Sequence, residues 1–467
     1  MNRLFVALAA ALPVAGICQD RYPVDWTQVE SEALGHFEAL LRIDTTNPPG
    51  NETAVAVYLR DALAAEGIEG RLYALAPGRD NLVARIRSNG SKEPVLVMGH
   101  TDVVGVQREN WSVEPFDAVR RDGYIYGRGT LDDKDNVTAG LMLMLMLRRT
   151  GVELDRDVIF LAEAGEEGTP EVGVDYMVNE HWDEVRAEYC LAEGGGAVAR
   201  DGVVRYVSIA TTEKYPMRVR LLARGTSGHG SVPRVDNALA ALAGAVAKLS
   251  EWQPPMRLNE TTRAYFRRLA EISDEESARY YRGLFDPAEQ ARSQHYLAQH
   301  EPQLSSLLRT SVSPTILSGG FRRNVIPSQA EAMLDVRGLP DENPEAFYAH
   351  MAAVINNPDV EVDPQPIYRP ASPPSPIDNE MFAVLESVSA RLFPQAVVMP
   401  TMLTGATDMA QVRAKGVACY GFGPVRHEED LSAGGGAHGD DERIPEDSLL
   451  KLVQFLWYSV LGIAASP

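Results

Sequence analysis

An apolar run over residues 94–99 feeds directly into His100-Thr-Asp102. A buried strand ending on an imidazole and a carboxylate sets both groups at the carboxyl edge of a sheet, where open α/β sheets gather their chemistry. Further acid or histidine sites follow at Asp132, the pair Glu166-Glu167, Glu193 and His438. Glu167 and Glu193 come just after apolar, strand-like segments. Asp132 and His438 fall in glycine-containing loops, Gly127-Arg-Gly129 and Gly434-Gly-Gly436, that allow a close backbone approach. Neutral imidazole and carboxylate are the usual protein ligands of zinc. Two metals roughly 3.5–4 Å apart hold a water and a carbonyl oxygen between them.

Taken singly, each site has a duller explanation. A histidine after a strand is usually a hydrogen-bonded surface residue, a Glu-Glu pair is usually solvated, and Asp132-Asp133 would serve to cap a helix beginning at Lys134. Their joint placement at strand ends and glycine loops suits two metals with one shared carboxylate. Of Glu166 and Glu167, one need bind metal, which leaves the other to move a proton from water. Asp102 stands two residues from His100 and is placed to accept the second imidazole N–H. The remaining histidines (His36, His181, His295, His300, His350 and His427) lack such a setting and read as structural.

The periodicity predicts helices over residues 30–42, 53–66 and 134–149, and strands near 71–75, 81–86, 95–98, 158–162 and 188–192. This βα alternation specifies a mainly parallel α/β sheet covered on both faces. Near Thr212 the pattern changes to one-faced strands (217–223, 315–317 and 329–337) with helices over 236–250 and 344–355, and a long polar helical stretch over 258–308. Residues 364–376 are proline-rich and read as a return linker. Helices over 379–392 and 445–461 and a strand at 419–422 follow, with His438 beyond the linker. The catalytic domain is therefore expected in two parts, 19–211 and 371–467, with an α+β insertion over 212–370.

A chain of 467 residues exceeds one ordinary core. Its net charge of -21 argues against nucleic acid or an anionic membrane surface as a partner. Residues 1–18 carry Arg3, an apolar run over 4–14 and small residues before Gln19, the pattern of a secretory signal, so the protein is expected to be exported, periplasmic or secreted. An uncleaved anchor is the alternative. Residues 141–147 are apolar but short and read as a buried helix, so no stable membrane partner is expected. Cys190 and Cys419 sit in apolar segments and read as buried free thiols.

At these residues the chain resembles the co-catalytic zinc exopeptidases and aminoacylases, a family that includes glutamate carboxypeptidase, succinyl-diaminopimelate desuccinylase, acetylornithine deacetylase, aminoacylase and carboxypeptidase S. The stretches that carry the resemblance are Met98-Gly-His-Thr-Asp102, Gly127-Arg-Gly-Thr-Leu-Asp-Asp-Lys134, Ala164-Gly-Glu-Glu-Gly168, Ala192-Glu-Gly-Gly195 and Gly436-Ala-His-Gly439. The resemblance implies two Zn2+ ions, with Co2+ or Mn2+ able to substitute. It makes Asp132 the bridging carboxylate, often followed by a cis peptide, places His100 and Glu193 on one ion and Glu167 and His438 on the other, and makes Glu166 the general base.

It also implies that the insertion is a lid. His229, in Gly225-Thr-Ser-Gly-His-Gly-Ser-Val-Pro233, would stabilise the oxyanion, reaching over from a second subunit in dimeric members. Asn324 and Arg337 would hold substrate backbone and carboxylate, and Gly405 would begin a substrate loop, Gly405-Ala-Thr-Asp408. The 258–308 stretch is longer than in compact lids and resembles the carboxypeptidase S-like branch. Its extra helices would cover the surface through which small lids form a homodimer. The expected activity is hydrolysis of an amide bond next to a free carboxylate, on small peptides as a carboxypeptidase or dipeptidase, or alternatively on N-acyl amino acids.

Overall fold

The computed structural model describes residues 21–432 and 435–467. The segment read as an export signal and Gly434 of the last glycine loop lie outside them. The larger unit is built on a ten-stranded sheet. Its strands run in the order Gly70–Ala74, Asp80–Ile86, Arg156–Glu163, Lys92–His100, Tyr189–Ala192, Ala418–Gly421, Val203–Glu213, Gly196–Arg200 and Val425–His427, and Val397–Leu403 branches from Val203–Glu213. The middle is parallel: Lys92–His100 runs beside both Arg156–Glu163 and Tyr189–Ala192, and the latter beside Ala418–Gly421.

These middle strands are continuously apolar because both faces are covered. Helices Trp26–Leu41, Glu52–Ala65, Lys134–Thr150, Glu380–Leu392 and Glu446–Ala464 pack on one face, and Val174–Glu180 and Met409–Ala414 on the other. Residues 141–147 lie buried inside helix Lys134–Thr150, which ends at Gly151 in the left-handed region (φ 62°). No helix among the described residues is long and apolar enough to cross a membrane. Cys190 and Cys419 are buried free thiols facing each other in register on neighbouring strands.

The smaller unit is a five-stranded antiparallel sheet. Its strand Gln329–Gly338 alternates buried and less buried residues, so one face packs under helices Ala238–Glu251 and Pro344–Ile355. The 258–308 stretch forms helices Glu260–Ile272, Glu275–Gly283, Gln290–His300 and Pro302–Ser306. Sequence reading set these over the pairing surface of the smaller unit, and the structure corrects this. They share a core with Met402 of the large sheet, and Arg268 Nη1 donates to the Val398 carbonyl at 2.6 Å. The amphipathic face of Glu260–Ile272 is thus spent on the branch strand Val397–Leu403. The edge strand Ser311–Gly319 is left uncovered, with Ile316 60% and Leu317 62% exposed.

Candidate metal centre and active site

His100 ends strand Lys92–His100 and is buried. Its backbone N–H donates to Asp133 Oδ2 at 3.1 Å. Residue 99 must be glycine for this, since a Cβ there would lie 2.8 Å from the same oxygen. His100 Nε2 faces Asp132 Oδ1 at 2.8 Å. Across the carboxylate, Asp132 Oδ2 lies 3.1 Å from His438 Nε2, which is also 2.8 Å from Glu167 Oε1. The Asp132-Asp133 peptide is cis. His438 has a left-handed backbone (φ 63°), a conformation a non-glycine residue adopts at some cost in strain.

Three overlapping groups have ligand atoms within 4.8 Å of one another: His100, Asp132 and Glu193; Asp132, Glu167 and His438; and His100, Glu166 and Glu167. Asp132 belongs to the first two. Burial and the neighbouring Asp132 and Asp133 push the Glu193 carboxyl well above its usual range. Hydrogen bonds to the Asp132 and Glu167 carboxylates push His438 up to about 10. So dense a set of carboxylates calls for cations, and this oxygen and imidazole donor set fits divalent metal.

Asp102 meets His100 through both its main chain and its side chain. His100 Nδ1 lies 3.0 Å from the backbone carbonyl of Asp102 and 3.4 Å from its carboxylate. The carboxylate also accepts from the Glu166 N–H at 3.0 Å, the Glu167 N–H at 3.1 Å and Asn47 Nδ2 at 2.8 Å. Asp102 therefore fixes the imidazole through its main chain, with its carboxylate beside the same nitrogen, and fixes both glutamates through its side chain.

Sequence reading missed Arg369, which sits in the stretch taken for a proline-rich linker. Its Nη2 donates to the Glu166 carbonyl at 2.8 Å and to Glu166 Oε1 at 2.5 Å, and its Nη1 to Asp408 Oδ1 at 2.9 Å. The available signal was a lone arginine in a connector with no carboxylate of its own. Burial pushes Glu166 up to about 8, with the Arg369 guanidinium opposing it, and Asp408 up to about 6 against the same guanidinium. Asp408 thus serves Arg369 at the foot of the loop that begins at Gly405.

Asp132, Glu166, Glu167, Glu193 and His438 line a cavity of about 470 Å³ together with Arg337 and Gly405. Arg337 is aligned by Asp335, with Nε and Nη2 at 2.8 and 3.2 Å from its carboxylate. A second cavity of about 480 Å³ shares Glu166, Glu167 and Arg337 and adds Arg218 and Tyr368. His229 and Asn324 are placed together but apart from both cavities. Gly228–His229 pairs with Val325–Ile326, the Gly230 N–H donates to the Asn324 carbonyl at 2.9 Å, and both side chains are exposed.

An α/β sheet rim carrying this donor set defines a metal-dependent hydrolase. The comparisons with known proteins agree, and the chain belongs to the peptidase family M20/M25/M40, whose model matches residues 96–461. It is 31% identical over 383 residues to the probable carboxypeptidase S-like 2 of Dictyostelium discoideum, covering 79% of this chain and 72% of the relative. Over 380 residues it is 27% identical to the N-fatty-acyl-amino acid synthase/hydrolase of Homo sapiens (79% and 74% covered). Over 449 residues it is 26% identical to aminoacylase-1 of Pongo abelii (94% and 97%). Among solved structures, the M20 family metallo-carboxypeptidase of Sulfolobus solfataricus superposes with a TM-score of 0.69 at 19% identity, covering 92% of this chain and 98% of the other. A dinuclear metal-binding M20 peptidase of Bacillus subtilis gives 0.59 at 14% identity, with 93% and 98% covered.

Proposed function

We propose that this chain is a dizinc amidohydrolase that cleaves an amide bond beside a free carboxylate, acting as an exported carboxypeptidase or dipeptidase. The observation that carries the reading is the gathering of Asp132, Glu167, Glu193 and His438, with His100 buried against Asp132, at a cavity that Glu166, Arg337 and Gly405 also line. His100, Asp132 and Glu193 would hold one ion, and Asp132, Glu167 and His438 the other. Two bound ions would polarise the amide carbonyl and acidify an attacking water. Glu166 takes the proton of that water and returns it to the leaving amine, and Arg369 and Asp102 keep it aimed. The Arg337 fork takes the substrate carboxylate, because a guanidinium binds a carboxylate through two parallel hydrogen bonds. Export rests on the charge and apolar pattern of residues 1–18.

His229 and Asn324 cannot serve this cavity from where they lie in one chain. We assign them to the cavity of a second copy, in a homodimer formed through the uncovered edge strand Ser311–Gly319. The relatives that act on N-acyl amino acids favour a second reading, N-acyl amino acid amidohydrolase, because such a substrate presents the same amide next to the same carboxylate.

A panel of dipeptides and N-acyl amino acids, offered to the zinc-loaded protein and to Glu166→Gln, separates the two. The wild type is expected to turn over one class, and Glu166→Gln to keep its metal and lose turnover. An active Glu166→Gln would remove Glu166 from the role of base. Inert wild-type protein carrying two metals would reject both substrate readings.

A further inference from the structure

Buried arginines in this protein are matched with carboxylates. Arg79 pairs with Glu52, Arg128 with Glu442, Arg156 with Glu188, Arg369 with Glu166 and Asp408, and Arg413 with Glu213. Arg309 has no acid partner but is bonded to Gln253 and Gln294, and it does not line the metal cavity. Arg426, half-buried, also lacks an acid partner and does line it. One terminal nitrogen donates to the Gly195 carbonyl at 3.2 Å, and its buried Nε has no partner. No carboxylate of the described residues stands within ion-pair distance. Asp135 and Tyr206 act on it only through space. Holding a guanidinium with a buried, unbonded Nε and no acid partner is costly, and the arrangement persists where an anion arrives to complete it.

The backbone around Arg426 is built to hold it there. Strand Val425–His427 runs parallel to Gly196–Arg200, which follows the candidate ligand Glu193. A Cβ on Gly196 would lie 2.9 Å from the Pro424 carbonyl, so the two segments approach as closely as glycine allows. The cavity therefore has two cationic walls: Arg337, satisfied by Asp335, and Arg426, unsatisfied.

We propose that Arg426 is a specificity residue that takes a second carboxylate of the substrate, so that the preferred substrates are dicarboxylic: an amide whose acyl group, or whose leaving amino acid side chain, carries an acid in addition to the α-carboxylate. This rests on the amidohydrolase reading and narrows it. A long neutral acyl chain would leave the half-buried cation unanswered.

The test compares kcat/KM of the zinc-loaded enzyme for N-succinyl- and N-glutaryl-leucine against N-butanoyl- and N-pentanoyl-leucine, and for Ala-Glu against Ala-Gln. Wild type, Arg426→Met and Arg426→Lys are assayed. The acid is expected to gain about 10–100-fold in one of the two arms, which locates the carboxylate on the acyl or the amine side. The preference should vanish in Arg426→Met through loss of rate on the acidic substrates, and return in part with Arg426→Lys. Equal rates for acidic and neutral substrates in the wild type, or a preference that survives Arg426→Met, overturn the proposal. Glutarate binding to Glu166→Gln, with and without Arg426→Met, is measured by calorimetry. Arg426-dependent binding without turnover of any substrate keeps the anchor and rejects the hydrolase reading. Binding unchanged by Arg426→Met rejects the anchor.

Discussion

The sheet rim and the His229 ribbon of the inserted unit hold their functional groups in opposite ways. On the rim the groups around Asp132 and Glu166 are bonded before any substrate arrives. Asp102 accepts two backbone N–H groups and an amide, and Glu442, fully buried, accepts from Arg128, Gly129 and Leu131 behind the Asp132 loop. In the inserted unit His229 and Asn324 stand in solvent on a short two-stranded ribbon. The rim is preorganised, so its geometry survives without a partner. Arg337 of the insert is likewise preset by Asp335, whereas His229 and Asn324 must gain their geometry from an encounter.

The widest gap is expected at Asp132, which both ligand groups share. Asp132→Ala should drop metal content from two ions towards none and lower hydrolysis more than about 1,000-fold. Two tightly held ions in that variant would show that the rim does not depend on a shared carboxylate. On the insert side, His229→Ala should retain both metals and lose about 100–1,000-fold in kcat. Mixing it with the inactive Glu166→Gln should restore turnover, because one mixed subunit pair then holds an intact rim and an intact His229. Absence of complementation, with mixed dimers present, would place His229 outside the partner's site.

Arg369→Met tests the rim's internal bracing. We expect kcat to fall about 10–100-fold with KM and metal content little changed, and Arg369→Lys to recover part of it. Equal loss of metal in Arg369→Met would make the residue a structural support and not an aiming device.

The smallest effect is at the join. Lys214 lies between Val203–Glu213 and Tyr215–Pro216, donates to Ser306 and Ser311, and burial pulls its pKa down to about 7. An unfolded lysine titrates near 10.4, at about three units higher. Between those values the unfolded chain holds the extra proton, so wild-type stability rises with pH from about 7 to 10, while below 7 both states are protonated and the penalty is constant. Lys214→Met removes that penalty. Its advantage in urea unfolding should shrink by about 1 kcal/mol per pH unit across that window. Parallel profiles for the two proteins would show that the lysine carries no such shift.

The rim was legible because each of its groups is announced locally, by an apolar strand running into His100 or by glycines beside Asp132. The structure brings all of these together. Arg369 and Arg426 were not legible, since their partners lie far away along the chain and a single arginine carries no local pattern. Strand Val397–Leu403 escaped for a different reason. Pro400 argues against a central strand, and the structure has this strand pairing with Val203–Glu213 alone. The 258–308 helices were foreseen as helices but placed on the wrong neighbour, because amphipathic periodicity states that a face is buried and not against what.

Strand Ala418–Gly421 lies between Tyr189–Ala192 and Val203–Glu213, although the whole inserted unit separates it from both in the chain. During synthesis a slot stays open in the middle of the sheet while roughly 200 residues are added, about 10–40 s at ~5–20 residues per second. Its unpaired edges invite pairing with other chains for that time. The strand that closes the slot is followed shortly by His438. The same late segment therefore finishes the hydrogen-bonded ladder and the donor set, and an interrupted chain has neither a sound sheet nor a place to hold metal.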